Sequence, residues 1–201
     1  MSDFPEYLRS KAVEGLQRLS DAERADVYVV SFFVYDEYDD PRLPVLTVGA
    51  NTERQVQFAT DPPPGFVKPN PWWTPTDEAE ARWNYAFWLQ NELAVVGDEA
   101  ADQHGAGLRR SWLETLDLWF DEFDYTSEAF ERGELITKKF VDVCVATVQD
   151  IHQSGLLVDL FARPIPVIVH ELEYYEAIAD QNVAANGPAL AAGLVSWIHA
   201  A

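Results

Sequence analysis

The chain has little that would name a chemistry. One cysteine, Cys144, occurs in 201 residues, so no internal disulfide can form and a reducing compartment fits. Basic residues are scarce: 14 Lys and Arg stand against 34 Asp and Glu, a formal net charge of -20. A field of that sign repels nucleic acid and anionic membranes and attracts basic partners. No apolar run approaches the roughly 18 residues that span a bilayer. The N-terminus, MSDFPEYLRSK, carries acids where a secretory signal needs a basic and then an apolar stretch. These absences predict a cytoplasmic protein that binds neither nucleic acid nor membrane.

Catalytic motifs are missing too. TVGANT, VVGDEA and HGAG match no nucleophile elbow or phosphate loop, and the glycines at 105–107 read as a loop before a helix. His170-Glu171 begins like the zinc-protease helix, in which two histidines four apart hold the metal. Position 174, where the second histidine belongs, is Tyr174. His104, His152 and His199 have no paired spacing, and the acids of YDEYDDP do not follow a calcium-loop pattern. The sequence therefore nominates no catalytic residue, no metal ligand and no cofactor.

Aromatic residues are abundant: 7 Trp, 8 Tyr and 11 Phe among 48% hydrophobic residues. They predict one well-packed core, and 201 residues suit one domain. Phe4, Leu8, Ala12 and Leu16 recur at helical spacing behind a capping Asp3, giving a first helix that ends near Leu19. VYVVSFFVY (27–35) and VLTVGANT (45–52) read as strands joined in a hairpin through an acidic turn. Six of the 12 prolines fall between 51 and 75, so that stretch reads as a loop, pinned by Trp72-Trp73 and leading to a helix start at Thr74–Asp77. ARWNYAFWLQNEL (81–93) reads as a short helix followed by an extended stretch. Leu108, Trp112, Leu116, Trp119 and Phe120 form a helical stripe, and Ile136, Phe140, Cys144, Val148 and Ile151 another, closed by Gly155. Cys144 is thereby a core residue. Pro164 and Pro166 introduce a strand over 166–170, edge-like at that end, and a helix resumes from Leu172 until Asn186-Gly187-Pro188, followed by a last short helix. The fold expected is a single α+β domain, 1–201, with a small, mainly antiparallel sheet against several helices.

Two acidic stretches stand out as contact candidates. Asp36, Glu37, Asp39 and Asp40 crowd the hairpin turn, which reads as a solvated tip or a contact surface. Asp117, Asp121, Glu122 and Asp124 lie in ETLDLWFDEFDYTSEAFERGE, interleaved with Trp119, Phe120, Phe123, Tyr125 and Phe130. Acids steer a basic surface and aromatics anchor it. The simpler reading is helices with aromatics inward and acids in water, and it holds for each aromatic taken singly.

Three segments together resemble a bacterial family, domain of unknown function 4303. They are the hairpin ending in Asn51, Thr52 and Glu53, the RWNYAFW run with Trp83 and Trp88, and SGLLVDLFARPIPVIVHELEYYE. The resemblance implies a single α/β-type domain with no established chemistry and a broad likeness to immunity proteins that neutralise toxins. The function expected is an acidic, non-catalytic binding protein, an immunity or antitoxin factor occluding a cationic protein partner. The alternative is a small-molecule-binding or hydrolytic domain with a site near Asn51, Thr52, Glu53, Trp83 and Glu171. The oligomeric state is not legible.

Overall fold

In the computed structural model, which describes residues 4–67, 73–121 and 126–200, VYVVSFFVY forms the central strand β1 (Val27–Asp36). It pairs antiparallel with β2 (Pro44–Thr52), which in turn pairs antiparallel with β3 (Ala94–Val96). On its other side β1 pairs in parallel with β4 (Val167–His170), giving the order β3-β2-β1-β4. The sheet is thus mixed: two pairings are antiparallel as expected, and the third is parallel. β3 and β4 both run in the direction of β1, and the long, mostly helical stretch 97–166 that joins them is the crossover that a return in the same direction requires.

Side chains of β1 alternate between two cores. Val30, Phe32 and Val34 join Leu46, Val48, Val167 and Val169 beneath α1 (Phe4–Gln17) and α6 (Ser127–Gln153), where Phe4, Leu8, Phe140, Cys144 and Val148 are buried. Each such Phe or Leu contributes about 2 kcal/mol by leaving water. The opposite face, with Val29 and Ile168, is covered by α3 (Glu53–Thr60), α4 (Glu78–Trp83) and α9 (Pro188–Ile198) through Val56, Ala81 and Leu194. A single α+β domain results.

The outer edge of β4 is closed by side chains of α8 (Glu176–Asn186). Asn182 accepts from Val169 N at 2.9 Å and donates to Val169 O at 2.8 Å; Asn186, one turn on, does the same for Val167 at 2.7 and 2.9 Å. Two amides at i and i+4 reproduce the ladder that a neighbouring strand would supply, and so protect the edge.

Several local expectations change. α5 (Gln103–Thr115) contains Gly105 and Gly107, which are helical and not a loop. A Cβ at Gly105 would collide with the carboxylate of Asp102, the residue that caps the helix. α5 stops at Thr115, so Leu116, Trp119 and Phe120 lie beyond it; Asp117 takes φ 58° and returns the chain so that Leu118 packs beside Leu113. The helix expected from Leu172 begins only at Glu176, because Tyr174 turns inward to stack on His170 and meet Trp197 edge-on. Glu171 and Glu173 therefore precede that helix instead of capping it. Three short helices were not expected: α2 (Asp21–Asp26), opened by a Ser20–Glu23 capping box, α3, capped by Thr52, and α7 (Leu156–Phe161) after Gly155. The stretch after Trp83 makes a 3-10 turn at Tyr85–Phe87 before running on to β3. Trp73 packs on Phe58, Phe66 and Phe87, while Trp72 lies outside the described residues.

Candidate functional site

The β1–β2 hairpin turns through left-handed Tyr38 and Asp39, φ 58° and 56°. Residues with a Cβ adopt that conformation reluctantly, and three backbone hydrogen bonds hold it: Glu37 to Leu43, Asp40 to Glu37 and Leu43 to Asp40, 2.8–3.1 Å. The turn is not wholly a solvated tip. Glu37 is buried and accepts from Glu99 N at 3.1 Å. Asp40 is gripped by Arg42, closest at 2.6 Å; burial by itself would raise the Asp40 pKa, but the Arg42 hydrogen bonds outweigh it and lower it. Arg42 also donates to the carbonyls of Phe120 and Asp121, tying the turn to the segment after α5. Beneath lies the buried guanidinium of Arg109, which donates to Pro44 O at 3.1 Å and Gly97 O at 2.7 Å.

Asp36 and Asp39 are left facing outward, and Glu171 joins them. Phe33 pairs with His170 in the parallel β1–β4 register, so the carboxyl ends of the two strands coincide and Asp36 and Glu171 share one end of the sheet. Ligand sites in open sheets favour that end. Asp36 Oδ1 is buried with no hydrogen-bond partner among the described residues. Burial pushes the Asp36 pKa up to about 6, with Glu171, Asp40 and Asp39 adding to the rise and Arg109 opposing it. Burial, then Glu173, also raises Glu171.

Three adjoining hollows share the Asp36 wall. One of about 580 Å³ is floored by Phe33, Tyr35 and Tyr85 and rimmed by Asp36, Asp39 and Glu92. A second, of about 240 Å³, lies between Tyr35 and Glu171. The third, about 980 Å³, runs between α6 and α8 from Asp39 and Glu171 to Val145 and Ala184. A separate groove of about 540 Å³ beside α1, α5 and α6 carries both signs, with Glu6, Asp142 and Asp150 among Arg9 and Lys139.

The other nominated residues lie elsewhere. Asn51, Thr52, Glu53 and Trp83 lie toward the opposite end of β1, where each is engaged by neighbouring residues. Asn51 is fully buried, donating to Tyr28 Oη at 3.0 Å and accepting from Leu89 N at 3.3 Å. Tyr28 donates to Arg82 O, and Arg82 makes a two-pronged bond to Glu53 at 3.0 and 2.7 Å over the Tyr28 ring. Thr52 caps α3 and Trp83 packs edge-on to Tyr28. Glu171 is not among them. Asp121 accepts from Trp119 Nε1, and Asp117 is exposed at its turn; Glu122 and Asp124 lie outside the described residues.

His170 also has a defined place. Its Nδ1 donates to Glu171 O at 2.8 Å, so Nε2 accepts from Ser31 Oγ at 2.8 Å. Phe33, Tyr85, Trp88 and Tyr174 surround the ring. Burial lowers its pKa to about 4, which keeps the imidazole neutral. A hydroxyl bonded to an imidazole is the arrangement of a base-activated nucleophile, but here both side chains are buried away from the surface. The alternation of β1 signalled the aromatic floor: Phe33 and Tyr35 alternate with the core residues Phe32 and Val34. Glu92 and Tyr175 carried no signal. Among the described residues no group of His, Cys, Asp and Glu could hold a metal ion, and no helix is long and apolar enough to cross a membrane. No family model, curated protein or solved structure matches the chain.

Proposed function

We infer that this chain is a non-catalytic binding protein for a cationic protein surface, with Asp36, Asp39 and Glu171 as contact carboxylates. One observation carries the reading: these acids converge on a cleft that also offers aromatic surface, and neighbouring carboxylates hold Asp36 in a field that an incoming cation would relieve. Asp40, by contrast, already has Arg42. Steering by the net charge and anchoring on Phe33, Tyr35 and Tyr175 would act in sequence. The resemblance to domain of unknown function 4303 supplies the biological form of the reading, an immunity or antitoxin factor that occludes a basic toxin.

The test is capture of basic partners from the native host at about 50 mM and about 300 mM salt, with rescue of toxicity from adjacent genes. Capture that weakens at least about tenfold over that range, and again with Asp36→Asn and Glu171→Gln together, is the expected outcome. A partner that is neutral or acidic, or binding indifferent to salt, overturns it.

A further inference from the structure

The groove between α6 and α8 has a shape and a charge pattern that specify an occupant. On α6 the lining positions Phe130, Glu134, Val141 and Val145 follow one another at spacings of four, seven and four residues, so they form one stripe. The stripe is about 22 Å long at 1.5 Å per residue, the length of a four-turn helix. The buried stripe of the same helix, with Ile136, Phe140 and Cys144, points elsewhere, into the core. Across the groove α8 presents small residues, Ala177 and Ala184, over which another backbone can approach closely. The helices close on each other at the far end, where Gln149 donates to Ala184 O at 2.9 Å. At the near end Gly133 lets α6 lie against Pro41 of the acidic turn, where a Cβ would sit only 2.9 Å from the proline ring.

Apolar surface lies at the mouth of the groove and acids line its rims. Phe130 and Tyr175 are 50% and 47% exposed. Six carboxylates border the groove, those of Asp36, Asp39, Glu134, Asp142, Glu171 and Asp180, against one basic residue, Lys138. Lys138 is held by Asp142 at 2.9 Å, so four or more of the acids face outward without a cation of the chain's own lining. A second copy of this chain brings the same negative sign. An extended peptide cannot join the sheet here, because Asn182, Asn186 and Gln181 already occupy the outward N–H and C=O groups of Val167 and Val169.

We propose that the α6–α8 groove is the docking site for an amphipathic helix of a partner protein, apolar on one face and carrying Lys or Arg along both flanks. The proposal rests on the cationic-partner reading above and names the form in which the cation arrives. The partner's apolar face lies between Val141, Val145 and Tyr175, and its flanking cations meet Glu134 on one rim and Asp180 and Glu171 on the other.

The test is selection from a display library of peptides about 16 residues long, apolar at helical spacing and randomised elsewhere. The intact chain and its Ala184→Arg variant serve as baits. Ala184 is exposed, so the variant keeps its fold, as a thermal melt checks, while its side chain fills the groove with a cation. Enriched peptides are expected to carry Lys or Arg on their flanks, to gain helical circular dichroism on binding, and to bind Ala184→Arg about tenfold or more weakly. Cationic peptides that bind Ala184→Arg unchanged, yet lose affinity with Asp36→Asn and Asp39→Asn, overturn the groove and leave the cationic reading standing. Enrichment of neutral or acidic helices sensitive to Ala184→Arg overturns the proposed occupant and the cationic reading together.

Discussion

Two polar clusters flank the sheet, and they differ in whether their charges are answered from within. At one end Asn51, Tyr28, Arg82 and Glu53 are linked in series, from the amide to the ion pair. At the other, Asp36, Asp39 and Glu171 share a cleft, with a buried oxygen of Asp36 left unpaired among the described residues. A satisfied polar group stabilises the fold it sits in, whereas an unsatisfied one costs stability and persists where something else meets it. The first cluster is therefore architecture and the second is the candidate for binding. The two ends should respond to perturbation with opposite sign.

Acidification has the largest effect, and it sets two groups of the cleft end against each other. His170 closes β4, one residue before Glu171, and is buried neutral with its pKa lowered to about 4. The folded state resists its protonation more than the unfolded state, where the value is 6.5. Its contribution is complete above pH 6.5 and is lost as pH falls through that value toward 4. Asp36 runs the other way: its folded value, about 6, lies above its ordinary 3.8, so its penalty is present above pH 6 and relieved below. With Asp36→Asn removing the opposing term, urea unfolding between pH 7.5 and 4.5 should lose stability on the order of 2–3 kcal/mol. Adding His170→Gln should flatten that loss. An unchanged slope would show that His170 does not govern the acid limb.

The first cluster gives the next effect. Asn51→Ala leaves Leu89 N without its acceptor and the buried Tyr28 Oη without a donor. The cost should be about 2 kcal/mol, read from the urea midpoint at constant slope. Glu53→Gln weakens only the part-exposed pair with Arg82 and should cost less, about 0.5 kcal/mol. Equal losses from the two would mean that the series acts through the ion pair and not through the amide.

Much of the frame was legible in sequence because it rests on local periodicity. β1, β2, β4 and the stripes of α1 and α6 follow from apolar spacing, as does the burial of Cys144. What escaped depends on contacts distant in the chain. β3 is three residues long and is made a strand by β2. Gly105 and Gly107 look like loop residues until Asp102 caps the helix through them. The parallel pairing that unites Asp36 with Glu171 joins residues 135 positions apart, a juxtaposition that no spacing encodes. Of the two acid-rich stretches, that of the hairpin supplied Asp36 and Asp39 to the cleft. Asn51–Glu53 drew attention as a motif, whereas its bonds show a structural use.

A stability effect of opposite sign discriminates best between the clusters. Asp36→Asn removes a half-buried charge that burial and three neighbouring carboxylates disfavour, and keeps the side chain's size. At pH 7.5 it should stabilise the chain by about 1 kcal/mol, after allowance for solvent screening of a group only partly buried. The gain should fade as pH falls below 6 and vanish near 4, where Asp36 is itself protonated in the folded state. The same substitution should weaken binding of the basic partner, because the carboxylate that costs folding energy is the one the partner's cation meets. Stability and affinity would then move in opposite directions at one residue, as is common where function holds a charge in an unfavourable place. A loss of stability at pH 7.5 would place Asp36 with Asn51 as architecture, and unchanged affinity would remove it from the contact.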